Sequence, residues 1–342
     1  MRERICRVWA AWAALWLGGV GSATAQRIEL TWPAPNDAYT ADRAAAKLLQ
    51  HAGSGDPESG SFGGVRSGGT QFHEGVDIRP LKRDRQGEAT DPVFAVLDGV
   101  VRHISANPGK SSYGRYIVLE HPGVTPAIYT LYAHLASIAP GLRTGATVKR
   151  GQTLGVMGRS AAGYAIPKER AHLHFEMGLM VTRDFQRWYN ARKFGSPNEH
   201  GLYNGMNLMG FDALDFFQKH RARRVDNLQQ YFERMEPVVK FRIATTRTPD
   251  FVERYPSLLA KERPMLVGGW EIWCNWTGLP FRWIPLTTAE VAGMRLNQVR
   301  IIEVDQAEER RQRSRSLAVK RKGAWVPGED LQTLLQQVFG VR

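Results

Sequence analysis

Three short stretches concentrate side chains that bind metals and move protons: Phe72-His73-Glu74-Gly75-Val76-Asp77-Ile78, Tyr129 to Leu135 with His134 near its end, and Ala171-His172-Leu173-His174-Phe175-Glu176. His172 and His174 lie two apart in an apolar run. In a strand such residues share a face, so both imidazoles enter one site. Zinc suits this set, because a catalytic zinc takes three N or O protein ligands and keeps a fourth position for water. His73, Asp77 and one of the His172/His174 pair would supply two nitrogens and a carboxylate oxygen, leaving two histidines for acid–base work. No cysteine is on offer, which argues against a closed structural zinc site. His73-Glu74 opens like the helical H-E-x-x-H pattern, but the fifth residue is Asp77 and Gly75 intervenes, so that motif is excluded. Taken singly, a histidine is more often a satisfied core or surface residue. The strength lies in the ordered set.

With its surroundings, that set resembles the lysostaphin/LytM-type zinc metallopeptidases, whose signature is H-x-x-x-D, a single His, then H-x-H. The resemblance runs from Ser61 to Met180 and takes in Ser61-Phe62-Gly63 to Arg66, Pro92 to Ala95, Asp98 to Val101, Gly114 to His121, Tyr132-Ala133-His134-Leu135, Gly145 to Gln152 and Gly155 to Gly158. It implies that His73, Asp77 and His174 bind one zinc ion, that His134 and His172 are the catalytic histidines, and that the activity is hydrolysis of peptide bonds in peptidoglycan. Glu176, two residues beyond His174, is a candidate partner for the ligands. Two departures from the family pattern, Ala171 before His172 and a charged Ser160–Arg170 loop, bear on substrate preference. Family members that lose zinc ligands act instead as wall-binding activators of cell-wall amidases; here all five site residues are present.

The elements that must carry these residues are short. Runs at Val93–Leu97, Tyr116–Glu120, Ala127–Tyr132, Thr153–Met157 and His172–Met177, separated by Gly, Pro, Asn or Ser turns, predict an all-β catalytic domain with an antiparallel sheet over 61–180. Residues 26–60 read as an N-terminal arm and linker with a helical stretch near Ala41–His51; the arm is a candidate cover for the groove. Residues 181–342 read as an α+β C-terminal region, with helices at Phe211–Phe217, Val225–Met235 and Asp330–Phe339 and strands at Val238–Ala244 and Trp270–Trp276. Trp270, Trp273, Trp276 and Trp283 favour core or interface packing over sugar stacking.

The chain has 342 residues, 43% hydrophobic and 23% charged, which excludes a disordered or polytopic membrane protein. Residues 1–25 read as a signal peptide: Arg2, Arg4 and Arg7 precede the apolar run Val8–Val20, and Ala23-Thr24-Ala25 is an A-x-A cleavage pattern. That run falls short of the about 20 residues a spanning helix needs, so no stable membrane anchor is expected. Export to the periplasm, cell wall or medium follows. Removal of Cys6 with the signal leaves Cys274 as a lone, buried structural thiol. The net charge of +13 favours polyanionic partners. Nucleic acid is excluded, since no nucleic-acid motif is present and a signal peptide is. The partner expected is peptidoglycan.

Overall fold

The computed structural model describes residues 26–40 and 44–341; the signal-peptide reading, Cys6 and part of the predicted Ala41–His51 helix lie outside them. Among the described residues the strands are β1 (Gly63–Arg66), β2 (Gln71–His73), β3 (Val76–Ile78), β4 (Pro92–Phe94), β5 (Gly99–Ser105), β6 (Tyr116–His121), β7 (Ile128–Ala133), β8 (Ser137–Ile138), β9 (Thr147–Val148), β10 (Thr153–Val156), β11 (Leu173–Met180), β12 (Leu208–Phe211), β13 (Val239–Ala244), β14 (Gly269–Cys274), β15 (Pro280–Leu286), β16 (Val299–Val304), β17 (Ala318–Arg321) and β18 (Ala324–Pro327). The α-helices are α1 (Ala44–Leu48), α2 (Phe185–Arg192), α3 (Ala213–Arg221), α4 (Leu228–Glu233), α5 (Asp250–Arg254), α6 (Gln306–Arg311) and α7 (Glu329–Phe339).

Residues 61–180 form the expected all-β unit: no α-helix falls within them and their strands pair antiparallel. The main sheet runs β12-β11-β7-β6-β5-β9. Its strands alternate cleanly. Phe175, Met177, Tyr132, Ile117 and Leu119 enter the large core, while Leu131, Ala133, Tyr129, Tyr116 and Val118 face the other side with His174 and Glu176. Residues of every length in β7 and nearly all of β11 are buried, because both faces are covered. One edge of β11 is held by β7 over His174–Gly178; the opposite edge takes β3 against Leu173–Phe175 and β12 against Met177–Met180. Gly178 lets that edge close up, since a Cβ there would meet the Tyr129 ring at 2.7 Å and the Gly210 Cα at 2.8 Å.

Trp32, Leu48 and Leu49 of the arm pack behind this sheet, and Gln50 runs beside β3, its N–H donating to the Asp77 carbonyl at 2.8 Å. Trp32 is buried against Phe217 (ring centroids 4.8 Å apart) and Phe175 (6.4 Å), on the face opposite His174. The hydrophobic side chains Trp32, Leu48 and Leu49 have a large apolar core to enter there.

Beyond residue 180 helices and strands mix. The sheet β15-β14-β13-β16 buries Trp270 and Trp283 with their rings 5.9 Å apart, Trp273 lies between Lys240 and Arg282, and Trp276 meets Phe62 and Phe72 from the β unit of residues 61–180. Cys274 is buried on β14. The predicted Phe211–Phe217 helix is corrected at its start. Phe211 ends β12, and Asp212 caps α3 by accepting a hydrogen bond from the Asp215 N–H at 3.0 Å. The Val225–Met235 helix likewise contracts to α4 behind its Asn227 cap.

Candidate metal centre

His73 at the end of β2, Asp77 in β3 and His174 in β11 bring their donor atoms into one small triangle. His73 Nε2 lies 3.0 Å from His174 Nδ1 and 3.1 Å from Asp77 Oδ1, and His174 Nδ1 lies 3.0 Å from the same oxygen. All three residues are buried. The cross-strand register explains the meeting: His174 sits directly opposite Asp77 in the β3–β11 pair. Gly75 makes room for the turn between β2 and β3, where a Cβ would come 2.5 Å from the Phe175 carbonyl oxygen.

These residues fit zinc. Two imidazole nitrogens and a carboxylate oxygen are its ligand types, and tetrahedral bonds of about 2.0–2.1 Å put neighbouring ligand atoms about 3.3 Å apart. The charge balance fits as well. Burial works against a charged His174 ring, yet hydrogen bonds to Asp77 and Glu176 override it and push His174 up to about 9, so the site recruits positive charge. Burial would likewise raise Asp77, but the charges of His73 and His172 and hydrogen bonds from His174 and His73 hold its carboxyl well below the usual range.

Each histidine is oriented from behind by an acceptor. The Nδ1–H groups of His73, His134 and His172 donate to the backbone carbonyls of Ser61 (2.7 Å), Ser160 (2.8 Å) and Arg170 (2.7 Å). A carbonyl only accepts, so each Nε2 is left with a lone pair in the neutral ring. His174 is turned the other way round, with Nε2–H donating to Glu176 Oε1 at 3.0 Å and Nδ1 in the triangle. Such outer hydrogen bonds fix ring orientation in metal sites.

His134 and His172 stand beside the triangle. Their rings lie 4.8 Å apart, His134 is 5.9 Å from the His174 ring, and His172 Nε2 is 3.5 Å from Asp77 Oδ1. Burial, then the neighbouring histidines, hold His134 well below its ordinary value; burial lowers His172 against the pull of Asp77. Both are therefore neutral proton acceptors at pH 7. His134 takes a left-handed backbone conformation (φ 59°), held by its N–H donating to the Tyr113 carbonyl at 2.9 Å.

The structure thus gathers all five residues singled out in the sequence, and gives Glu176 the partner position. It adds others. Arg66 on β1 donates to the second oxygen of Asp77 at 2.5 Å, and the hydroxyls of Tyr113 and Tyr129 donate to Glu176 at 2.6 and 2.8 Å. Tyr129 has a sequence signal, since it shares the β7 face with Ala133 and Leu131. Arg66 falls within the resemblance but no spacing ties it to Asp77, and Tyr113 lies between β5 and β6 with no sequence signal of its own.

Residues 71–184 match the profile of Peptidase family M23. Among solved structures, a protein described as a glycyl-glycine endopeptidase LytM from Ruminococcus gnavus is 34% identical over 31% of this chain and 39% of its own, with a TM-score of 0.26. A zinc-containing peptidase from Vibrio cholerae is 26% identical over 44% of this chain and 33% of its own (TM-score 0.23). The catalytic domain of lysostaphin from Staphylococcus simulans is 21% identical over 46% of this chain and 89% of its own (TM-score 0.28). The chain thus spans well under half the length of the first two. No curated protein matches it.

Proposed function

We propose that this chain, whose residues 71–184 are an M23 peptidase domain, is an exported zinc metalloendopeptidase that hydrolyses peptide bonds in peptidoglycan cross-links. The observation that carries the reading is the triangle of His73 Nε2, Asp77 Oδ1 and His174 Nδ1 with two further neutral imidazoles at its side. His73, Asp77 and His174 would hold the zinc. When bound, it would supply Lewis-acid polarisation of the scissile carbonyl and bring the pKa of its water toward about 7.

The chain's own residues do the rest. His134 and His172 present Nε2 lone pairs toward the reaction space, each able to take a proton from the attacking water and pass it to the leaving amine. Their Nδ1–H bonds to Ser160 and Arg170 hold the rings in place through that exchange. Glu176 holds His174, and Arg66 holds the free oxygen of Asp77. Among the described residues no helix is long and apolar enough to cross a membrane. The basic signal-like segment at 1–25 supports export, and the wall polymer is the substrate an exported enzyme of this kind meets.

The test is zinc content together with release of muropeptides from purified peptidoglycan by the chain beginning at Gln26. About one zinc per chain and soluble fragments are expected. A protein that binds no zinc and releases nothing, yet stimulates a cell-wall amidase, would replace this reading with that of a silent activator.

A further inference from the structure

The three most exposed large apolar side chains among the described residues, Met265 (99%), Leu266 (75%) and Leu296 (73%), all stand at one end of the sheet β15-β14-β13-β16. The next, Leu81, is 61% exposed and belongs to the β unit of residues 61–180. Strand register brings the three together. Gly269 opens β14 opposite both Ala244, the last residue of β13, and Leu286, the last of β15, while β16 begins at Val299 opposite Ile243. The 260–268 and 287–298 loops therefore leave the sheet at the same end. Their roots are fixed there: the Gly268 N–H donates to the Leu286 carbonyl at 2.7 Å, the Thr245 N–H to the Gly268 carbonyl at 3.0 Å, and the Asn297 N–H to the Ala244 carbonyl at 2.7 Å. Val291 packs with Ala244 and Leu286 beneath the second loop. Since β14 and β16 flank β13, the two roots are about 10 Å apart.

Grouped apolar exposure of this kind marks a surface that something covers. Cations surround it. Arg263 precedes Met265 by two residues and Arg295 adjoins Leu296; neither makes an ion pair among the described residues. Lys261 lies 3.6 Å from Glu290, Glu262 is the other carboxylate of these loops, and Arg300 follows at the start of β16. One step further in, Arg242 and Glu271 pair with each other at 2.8 Å. Four cations thus share the tips with two carboxylates. Single side chains protruding from two separate loops suit a yielding partner, because hydrocarbon accepts each without a matching pocket, whereas a rigid protein surface needs one for each. The excess of positive charge selects an anionic surface.

We propose that this end of the C-terminal sheet docks on an anionic lipid bilayer. Met265, Leu266 and Leu296 enter the boundary between headgroups and acyl chains, and Arg263, Arg295 and Arg300 meet lipid phosphates. The contact is peripheral, since no helix among the described residues is long and apolar enough to cross a membrane. At its other end the same sheet carries Trp276, which meets Phe62 and Phe72 beside His73. Along β14, at about 3.4 Å per residue, the two ends are about 17 Å apart, so docking keeps the bilayer clear of the metal-bearing unit. An exported chain, as proposed above, meets such a surface; the docking itself needs neither zinc nor turnover.

The experiment is sedimentation of the zinc-loaded chain from Gln26 with vesicles of phosphatidylcholine, alone or with about one third phosphatidylglycerol. Wild type should bind the anionic vesicles at least about tenfold more tightly, and added salt should weaken that binding. Leu266→Ser and Leu296→Ser should each weaken it about tenfold, and Arg263→Gln combined with Arg295→Gln about as much. Thermal unfolding should not change, because all four side chains are exposed. Binding to neither vesicle, equal binding to both, or binding that ignores these variants overturns the proposal. So does self-association that Leu266→Ser abolishes in a chain that binds no vesicle, since a second copy then covers the tips. Muropeptide release is read on the same preparations. A chain that cuts peptidoglycan but ignores vesicles loses the docking and keeps the peptidase reading; one that binds anionic vesicles but cuts nothing does the reverse.

Discussion

His174 and Glu176, two residues apart on one strand, are joined by a 3.0 Å hydrogen bond from the imidazole Nε2–H to the carboxylate, and that carboxylate is itself buried and held by Tyr113 and Tyr129. The bond points His174 Nδ1 at Asp77 and His73. Glu176→Gln keeps the shape but replaces a charged acceptor with an amide that can present its NH2 group to the ring. Zinc affinity should fall by about 10–100-fold. Competition with a chromophoric chelator measures it; a change below about threefold means that Glu176 only fills space.

Binding and turnover should separate between histidines. His174→Ala removes a donor from the triangle, so zinc and activity are lost together. His134→Ala leaves the triangle whole, so zinc content should stay near one per chain while muropeptide release falls by about 10²–10⁴-fold. Metal analysis and fragment release on the same preparations check both. Loss of zinc in His134→Ala would make it a ligand.

Period-two spacing made only part of this site legible: it gave His172 and His174 a shared face, while His134 and the choice of His73, Asp77 and His174 as ligands came from the resemblance of the ordered motifs to a known family. The β runs of 61–180 could be placed from their apolar stretches and turn residues, within a residue or two at their ends except at Val93–Leu97, which narrows to β4, and at His172–Met177, which β11 continues to Met180. What escaped depends on long-range packing. Phe211 carries the apolar signal of a helix, yet an open edge of β11 claims it as strand. Arg66 reaches Asp77 across a loop whose path no local spacing encodes. The burial of Trp32 behind the sheet depends on the rings of Phe175 and Phe217, far apart in sequence.

Acid stability should carry the mark of His121, which lies away from the metal centre. Its ring bonds to the Asp98 carbonyl oxygen at 2.9 Å and to Thr130 Oγ1 at 2.8 Å, and burial pushes it down to about 4. As pH falls, the unfolded chain takes its proton first, near about 6.5. The neutral ring's contribution is therefore complete above that pH and is lost progressively down to about 4, an amount on the order of 3 kcal/mol. Carboxylates titrate in both proteins, so the wild-type minus His121→Gln difference in unfolding free energy isolates the effect. Urea unfolding at pH 7, 5.5 and 4 should show that difference shrinking; a constant difference would remove His121 as the cause.

Trp283 tests whether the C-terminal sheet is a core in its own right or decoration on the peptidase unit. It is almost fully buried, stands 5.9 Å from Trp270 and 6.0 Å from Phe339 of α7, and donates its indole N–H to the Pro280 carbonyl at 3.1 Å. Its replacement by alanine removes that bond and leaves a large void, costing about 3–5 kcal/mol. Trp283→Ala is expected to melt earlier while keeping its zinc at low temperature, read by thermal unfolding and metal analysis on one preparation. Zinc loss in step with melting at low temperature would instead mean that β14 and β15 support the donor triangle directly.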